Sequence, residues 1–362
     1  MENKQWSAEE ISTIYNQPFL DLVFQAANIH RENHNPNVIQ VSSLISIKTG
    51  GCSEDCGYCS QAARYRTKIE GNDLMSVAQV KQQAINAKQN GSSRVCLGAA
   101  WRNVKDNEDF EQVLEMVREV TNLDMEVCCT LGMLTENQAK RLEEAGLYAY
   151  NHNIDSSEDY YKEVISTRSF DDRLQTIDNV RKTKITVCSG GIIGMGESVQ
   201  DRVSMLKILG NMFPQPESVP INALIPVEGT PMESQEIVSI FEMIRMIATA
   251  RIVLPKTQIR LSAGRTQMTQ EGQAMCFLAG ANSIFAGEKL LTTPNPSLNE
   301  DLKLFQELGI TPQNPFEKHP KRGVVEKEQS QYKPLGENPK WTRPTHKIER
   351  NELAKERAKE QV

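Results

Sequence analysis

Three cysteines that lie close together offer the clearest chemistry in the chain. Cys52, Cys56 and Cys59 stand in the segment KTGGCSEDCGYCSQ at a C-x3-C-x2-C spacing. Thiolates at this spacing can bind three irons of a cubic [4Fe–4S] cluster, whose fourth iron then needs a ligand from elsewhere. Zinc is the alternative metal, but its structural sites favour paired C-x2-C motifs, and the sequence has no second such pair or suitable His pair. The triplet therefore predicts an iron–sulfur cluster with one open iron.

The composition is that of an ordinary protein of a reducing compartment. The chain has 362 residues, a net charge of −6, 39% hydrophobic residues and 24% charged residues. Such a chain is neither a basic nucleic-acid binder nor a disordered acidic protein. The first residues have no apolar core, and nowhere do about 18 apolar residues run together, so we expect a cytoplasmic protein without a membrane span. In that compartment clustered cysteines bind metal more often than they form disulfides.

Short β-rich runs alternate with longer amphipathic segments along most of the chain. Strands are predicted at 39–47, 93–98, 124–130, 147–153, 184–189, 218–225, 257–262 and 282–286. Helices are predicted at 75–90, 108–121, 135–145, 171–182, 198–211, 233–251 and 270–279. Eight strands alternating with helices are typical of an α/β fold and fit a closed (β/α)8 TIM-type barrel, with a doubly wound open sheet as the alternative.

The two ends of the chain lie outside this alternation. Ser7 and Glu10 have the spacing of a capping box, and apolar residues recur helically to about residue 34, so 1–36 is interpreted as an N-terminal helical extension that caps the fold. The barrel is assigned to 37–315. Pro, Lys, Glu, Gln and Asn dominate 316–362, a composition typical of a flexible charged tail.

Alternation within the strands indicates which side chains meet inside the barrel, because successive residues point to opposite faces. The apolar residues of the second, third, fifth and seventh strands are expected to face the helices. The side chains that remain for the interior are Cys96, Cys128, Cys188 and Arg260. Their convergence from four strands indicates an interior site. The alternative is that each cysteine is a small buried hydrophobe, an interpretation that Cys129 and Cys276 keep.

The cysteine triplet follows the first strand, so it lies at the carboxyl end of the barrel, where such folds carry their active sites. A C-x3-C-x2-C motif in this position, with Tyr58 before its third cysteine, resembles the radical S-adenosylmethionine superfamily. In that superfamily S-adenosylmethionine chelates the open iron. One electron from the reduced cluster then cleaves the sulfonium of S-adenosylmethionine and gives a 5′-deoxyadenosyl radical. The segment SGGIIGMGE is similar to the stretch that contacts the cofactor there, here through Gly191 and Ile192. Taken alone, it is a glycine-rich strand-to-helix loop.

Within the superfamily the sequence resembles the biotin synthase family from about residue 6 to about residue 316. The resemblance includes CSEDCGYCSQ, YNHNID, VCSGGI, IRLSAGR and FLAGANSIFAGEKLLTTPNP. It implies conversion of dethiobiotin to biotin by radical insertion of sulfur between two saturated carbons. It also implies a [2Fe–2S] cluster as sulfur donor, with the ligands Cys96, Cys128, Cys188 and Arg260. The arginine ligand comes from the resemblance alone, and the adjacent Cys129 makes the third-strand ligand ambiguous in principle.

The resemblance also implies roles for residues at the mouth of the barrel. Asp155 is expected to bind the ribose of S-adenosylmethionine, Asn153 to lie between cofactor and substrate, and Arg173 to pair with the cofactor carboxylate. Asn222 can offer a donor and an acceptor to the cyclic urea of dethiobiotin, with Asn151 nearby. The remaining substrate contacts are assigned to Thr292 and Thr293, placed for the carboxylate tail. His152, of opposite parity, is interpreted as structural.

The partners implied by the resemblance are an electron donor of flavodoxin or ferredoxin type, the iron–sulfur assembly machinery and a second copy of the chain in a homodimer. No nucleic acid or membrane partner is expected. One alternative is another radical S-adenosylmethionine barrel enzyme, such as a lyase or mutase, that uses only the [4Fe–4S] cluster and leaves the strand cysteines as passive core. The other is an electron carrier or structural metal protein, which needs no small-molecule ligand.

Overall fold

The barrel is built from parallel strands in the part of the chain that the computed structural model describes, residues 4–316. The strands are β1 (Val38–Lys48), β2 (Arg94–Ala99), β3 (Glu126–Thr130), β4 (Ala149–Asn151), β5 (Thr186–Cys188), β6 (Gly191–Ile193), β7 (Ser218–Ala223), β8 (Gln258–Leu261), β9 (Ser283–Ala286) and β10 (Thr311–Pro312). The order β1-β2-β3-β4-β5-β7-β8-β9 closes because β1 also pairs with β9. The predicted closed (β/α)8 barrel is therefore confirmed, and the open sheet is excluded.

Two short strands were not predicted as separate elements. β6 continues the course of β5 after a two-residue break and pairs with β7, so the fifth position of the barrel is an interrupted strand. β10 pairs with the first residues of β1 at the amino end of the barrel. Both are only two or three residues long, too short for a pattern of alternating residues to be recognised.

Helices cover the outside of the barrel. They are α1 (Ala8–Tyr15), α2 (Phe19–Asn33), α3 (Val77–Gln89), α4 (Glu108–Thr121), α5 (Glu136–Glu144), α6 (Glu158–Val164), α7 (Phe170–Arg181), α8 (Val199–Asn211), α9 (Ile240–Val253), α10 (Gln270–Leu278) and α11 (Leu298–Leu308). The sequence-based prediction missed α6 and α11 and began α9 seven residues too early, at 233.

The N-terminal extension consists of two helices, where the sequence predicted one. Pro18 stands at the N-cap of α2, and a proline there cannot continue the hydrogen-bond ladder of α1. The predicted capping box is present at the start of α1, where Ser7 and Glu10 bond each other's backbone N–H groups. Both helices pack on the outside of the barrel, α1 against α8 and α9, and α2 against α9.

The main apolar core lies between the strands and the helices. Val95, Leu97 and Val127 belong to it, as the alternation along β2 and β3 predicts. A separate small cluster inside the barrel contains Cys96, Cys128, Ala149 and Phe285. Because the interior has so few apolar residues, much of it is left to polar and sulfur-bearing side chains.

Buried charges cross the amino end of the barrel. Arg94 is fully buried and pairs with Glu126 at 2.8 Å and with Glu217 at 3.0 Å. The ring of Tyr148 lies 5.0 Å from the Arg94 guanidinium. The Phe316 ring meets Tyr148 edge-on at 5.9 Å, and its backbone N–H donates to Glu126 at 2.8 Å. This charged layer separates the interior from the amino end.

Two further sequence-based expectations concern membrane spans and the C-terminal tail. None of the helices described within residues 4–316 is long and apolar enough to cross a membrane. The prediction of a flexible tail falls, from residue 317 onward, outside the described residues.

Candidate active site

A cavity of about 320 Å³ opens at the carboxyl end of the barrel. Of the residues singled out from the sequence, its wall contains Cys52, Cys56, Tyr58, Cys59, Cys96, Asn151, Asn153, Asp155, Arg173, Ile192, Asn222, Thr292 and Thr293. Cys128, Cys188 and Arg260 are not part of this wall and are fully buried. The fold thus gathers residues from across the chain at the mouth, with a second group below them.

Two carboxylates between the cysteines anchor the triplet loop. Asp55 accepts the backbone N–H groups of Ser166 at 3.0 Å and Thr167 at 3.1 Å, and Glu54 accepts the hydroxyl of Thr167. Burial raises the pKa of Asp55, but hydrogen bonds from the hydroxyls of Ser166 and Thr167, together with the two backbone N–H groups, outweigh it and lower the pKa to about 2. The backbone N–H of Gly57 donates to Val164 at 2.9 Å. The loop conformation is therefore held by groups other than the thiols.

The three thiols of the triplet suit a soft metal centre. Burial raises the pKa of all three thiols, to about 12 for Cys56 and about 11 for Cys59. Metal binding must therefore displace their protons. Within residues 4–316, no three Cys, His, Asp or Glu side chains converge as they would around a single ion. A cubic cluster does not need that convergence, because each cysteine binds a different iron. The donor set fits a cluster held at three corners.

Asp155 is the centre of a buried polar group beside the triplet. Its carboxylate accepts a hydrogen bond from Tyr58 at 3.0 Å and forms an ion pair with Arg173. Arg173 also donates to the hydroxyl of Tyr161 at 3.0 Å. Arg173 thus has a carboxylate partner within the chain, and its pairing with a cofactor carboxylate stays a prediction.

The glycine-rich segment after β5 packs closely against the backbone of Asp155. The backbone carbonyl of Asp155 accepts a hydrogen bond from the N–H of Ile192 at 2.9 Å. The backbone N–H of Asp155 donates to the carbonyl of Gly190 at 3.2 Å. A Cβ on Gly191 would lie 2.6 Å from the Asp155 carbonyl oxygen. Only glycine permits this approach, which leaves the side chain of Ile192 on the cavity wall.

The asparagines at the mouth differ in how fully they are engaged. Asn222 donates to the carbonyl of Gly191 at 3.0 Å and accepts from the N–H of Ala263 at 3.2 Å. Asn153 accepts from the N–H of Gly190 at 3.1 Å. The buried amide oxygen of Asn151 has no hydrogen-bond partner among the described residues. An amide has two N–H groups and two lone pairs, so Asn222 retains one of each for a ligand.

His152 also reaches the cavity, although parity suggested a structural role. Its ring stacks on that of Tyr150 at 6.4 Å, and burial lowers its pKa well below the usual value. The imidazole is therefore neutral near pH 7, and it lines the same cavity as Asn151 and Asn153.

A hairpin at 289–294 carries the two threonines. The backbone N–H of Leu290 donates to Thr293 at 2.9 Å, and the Thr292 hydroxyl lies 2.9 Å from that of Ser60 in the triplet loop. Leu291 extends over β2, where a Cβ on Gly98 would lie 2.6 Å from its side chain. The hairpin therefore closes part of the mouth and contacts the triplet loop directly.

Three cysteines and an arginine meet inside the barrel. Cys96 and Cys128 are partners in the register of β2 and β3, and Cys188 lies 4.0 Å from the guanidinium of Arg260. The hydrogen bond between the two thiols lowers the pKa of Cys96, and the same bond, with burial, raises that of Cys128. The charge of Arg260 also lowers the pKa of Cys96. The arrangement favours a thiolate beside a cation.

Arg260 has no carboxylate partner among the ion pairs of the described residues. Its guanidinium donates to Ser283 at 2.9 Å, to Gln40 at 3.0 Å and to Ser42 at 3.3 Å, and it lies 4.6 Å from the Phe285 ring. A buried cation without a counter-charge is costly. Three neighbouring thiolates and an anionic cluster would supply that charge, so these residues fit an iron–sulfur group of net negative charge.

The sequence-based interpretation did not single out several residues that shape the site. Arg168 lines the cavity, and its guanidinium lies 3.9 Å from the sulfur of Cys56. Ser60 and Leu291 link the hairpin to the triplet loop and to β2. The adjacent acidic residues Glu54 and Asp55 inside the cysteine motif could have indicated from the sequence that carboxylates anchor this loop. Arg168 had none, because it belongs to an irregular segment between α6 and α7.

Comparison with known proteins agrees with the geometry. A model of the radical SAM superfamily matches residues 46–209, and a model of the Biotin and Thiamin Synthesis associated domain matches residues 220–311. Among solved structures, methylornithine synthase superposes with a TM-score of 0.73 at 18% identity, over 86% of this chain and 96% of that one. The hydrogenase maturase HydG from Carboxydothermus hydrogenoformans has a TM-score of 0.73 at 19% identity, over 86% and 77%. At these identities the structures support the fold alone.

Curated relatives are similar over nearly the whole chain. The biotin synthase of Flavobacterium johnsoniae is 70% identical over 346 residues, which cover 96% of this chain and 95% of the relative. The biotin synthase of Christiangramia forsetii is 70% identical over 98% of each chain. The mitochondrial biotin synthase of Arabidopsis thaliana is 54% identical over 86% of this chain and 82% of its own. The chain therefore belongs to the biotin synthase family.

Proposed function

We propose that this chain is a radical S-adenosylmethionine sulfurtransferase that converts dethiobiotin to biotin, the last step of biotin biosynthesis. The observation that carries the proposal is one barrel with two separate thiol groups, one at the mouth and one beneath it, of which Cys96 reaches the same cavity as the triplet. A one-cluster enzyme or a simple electron carrier has no need of the second group. Family membership at this identity supports the same conclusion.

At the mouth, Cys52, Cys56 and Cys59 would hold a [4Fe–4S] cluster with S-adenosylmethionine on its open iron. When bound, this pair supplies the radical that abstracts hydrogen from a saturated carbon, a bond with no acidity for a general base to exploit. The residues proposed to bind and orient the cofactor are Tyr58, Asn153, Asp155, Arg173, Gly191 and Ile192. The carboxylate of Asp155 suits hydroxyl donors, as a ribose provides.

Inside the barrel, Cys96, Cys128, Cys188 and Arg260 would hold a [2Fe–2S] cluster, which supplies the sulfur. The buried, carboxylate-free cation at Arg260 supports an anionic group at this place. Closure of the amino end by Arg94 and its glutamates, and of the mouth by the 289–294 hairpin, would limit access of water to a reacting radical.

Between the two groups, the substrate is proposed to contact Asn151, Asn153, Asn222, Thr292 and Thr293. The unpartnered oxygen of Asn151 is an acceptor ready for an N–H of the cyclic urea. Asn222 is held by Gly191 and Ala263 and keeps one donor and one acceptor. Thr292 and Thr293 would bind the carboxylate tail, and Ser60 orients the first of these hydroxyls.

Further partners follow from the same proposal. Reduction of the mouth cluster requires a one-electron donor, for which we propose a flavodoxin or ferredoxin. Iron–sulfur assembly machinery would load and rebuild the clusters. We also propose a homodimer acting in the cytoplasm.

The decisive experiment is product analysis after anaerobic reconstitution, with dithionite, S-adenosylmethionine and dethiobiotin. We expect biotin and 5′-deoxyadenosine from the wild-type chain. Cys128→Ser should abolish biotin, while the neighbouring Cys129→Ser, which changes a core residue on the opposite face, should leave it. Failure of the wild type to form biotin with both clusters filled would contradict the proposal.

A further inference from the structure

Arg168 is a buried cation at the mouth cavity whose bonds are incomplete. Only 7% of its side chain is exposed, and it lines the cavity wall. One terminal nitrogen donates to the sulfur of Cys56 at 3.9 Å. Its Nε has no hydrogen-bond partner among the described residues. The neighbouring Arg173, by contrast, is engaged by Asp155 and Tyr161.

The carboxylate of Glu54 links Arg168 to a second arginine that does not touch sulfur. Glu54 lies 3.9 Å from Nε of Arg168 and 3.3 Å from Nε of Arg102. Arg102 is 41% exposed. Its guanidinium is therefore screened by solvent, whereas that of Arg168 acts in a low-dielectric site. Within the described residues, two arginines therefore pair with the same carboxylate, and only Arg168 also contacts a thiol of the triplet.

A cation and an N–H donor beside a sulfur of an iron–sulfur cluster change the reduction potential of the cluster. Reduction adds one negative charge to an iron–sulfur cluster, and nearby positive charge and hydrogen bonds to its sulfurs stabilise the reduced form. The stabilisation is larger where water is excluded, because the interaction is then less screened. Arg168 meets these conditions at Cys56 if the triplet holds the cluster.

We propose that Arg168 is a redox-tuning residue, which raises the reduction potential of the triplet-bound cluster through its N–H···S contact and its charge at Cys56. The inference rests on the [4Fe–4S] part of the proposed function. It separates Arg168 from Arg173, which donates to Asp155 and Tyr161 rather than to a thiol, and from Arg102, which pairs with Glu54 and has no bond to a thiol among the described residues. Arg168 acts through Cys56 and is a positioning rather than a catalytic residue.

The test is a redox titration of the anaerobically reconstituted full chain, followed by electron paramagnetic resonance, with iron and sulfide content measured in parallel. We expect Arg168→Gln to shift the reduction equilibrium about tenfold toward the oxidised form, which is about 59 mV for a one-electron couple. Arg168→Lys, which keeps the charge and loses the planar fork, should shift it about threefold. Arg102→Gln loses an ion pair to the same Glu54 and should leave the potential unchanged.

An unshifted potential in a fully loaded Arg168→Gln chain would overturn the inference. An equal shift in Arg102→Gln would overturn it too, because the effect would then belong to Glu54. If Arg168→Gln does not load, Arg168→Lys decides, and a wild-type potential there counts against the proposal. Biotin formation by the wild type is a separate result, so failure of the proposed function and failure of this inference are distinguishable.

Discussion

The buried arginine at the amino end of the barrel and the polar groups at its mouth differ in how fully they are bonded. At the amino end, Arg94 is bonded by both Glu126 and Glu217. At the carboxyl end, an oxygen of Asn151 and a nitrogen of Arg168 lack hydrogen-bond partners among the described residues. Arg94 is paired within the chain at the first end, whereas the mouth has an oxygen and a nitrogen left for a ligand.

This difference has an energetic consequence. A fully paired buried charge contributes little net stability, but removal of one partner strands the other at a large cost. An unpartnered group at a binding site already carries that cost in the free protein, and a ligand recovers it. We therefore expect mutations at the amino end to change folding, and those at the mouth to change binding and catalysis.

The largest effect should separate the two thiol groups. Cys56→Ala removes a proposed ligand of the mouth cluster and should reduce both 5′-deoxyadenosine and biotin formation to background. Cys188→Ala should abolish biotin but retain cleavage of S-adenosylmethionine, because the triplet is intact. Cys276→Ala, in the buried face of α10, serves as control. Equal loss of both products in Cys188→Ala would argue that the two groups do not act separately.

The next effect concerns the charged layer at the amino end. Arg94→Met leaves Glu126 buried without its cation and should lower the free energy of unfolding by about 3–5 kcal/mol. Arg118→Met breaks an exposed pair with Glu115 and should cost less than about 1 kcal/mol. Denaturant titration of both variants measures the difference. Similar stabilities would show that the amino end tolerates an unpaired charge.

A smaller effect is expected at the unpartnered amide of the mouth. Asn151→Ala removes one proposed hydrogen bond to the substrate, so KM for dethiobiotin should rise about fivefold, equivalent to about 1 kcal/mol. The free energy of unfolding should hardly change, since the oxygen is unbonded in the free protein. Asn86→Ala, on the exposed face of α3, is the matched control. An unchanged KM would remove Asn151 from the substrate site.

The smallest effect should come from the hairpin at 289–294. Gly98→Ala forces the side chain of Leu291 to move. Because this is the end of a flexible side chain, we expect KM to rise only about threefold, equivalent to about 0.6 kcal/mol and below the roughly 1–3 kcal/mol of an overpacked core. Adding Leu291→Ala restores the space and should return KM towards the wild-type value. If the double variant is no better, the contact does not set the position of Thr292 and Thr293.

The fold was largely predictable because its signals are local and repeated. Alternation along β2 and β3 correctly separated Cys96 and Cys128 from Cys129, since a strand has a fixed period of two. Short or irregular elements were missed. α6 has only seven residues, and the break at Pro18 divided a helix that periodicity alone had joined.

The sequence by itself was enough to predict a cluster-binding motif at the triplet, because the three thiols lie within one short loop and the covalent chain fixes their spacing. It also determined the closed barrel and the faces of the strands, through periodicity. Only the tertiary structure decided that Arg173 pairs with Asp155, that Arg168 reaches Cys56, and that Thr292 meets Ser60. These contacts join distant segments through loops, where no repeating pattern relates position in the chain to position in space.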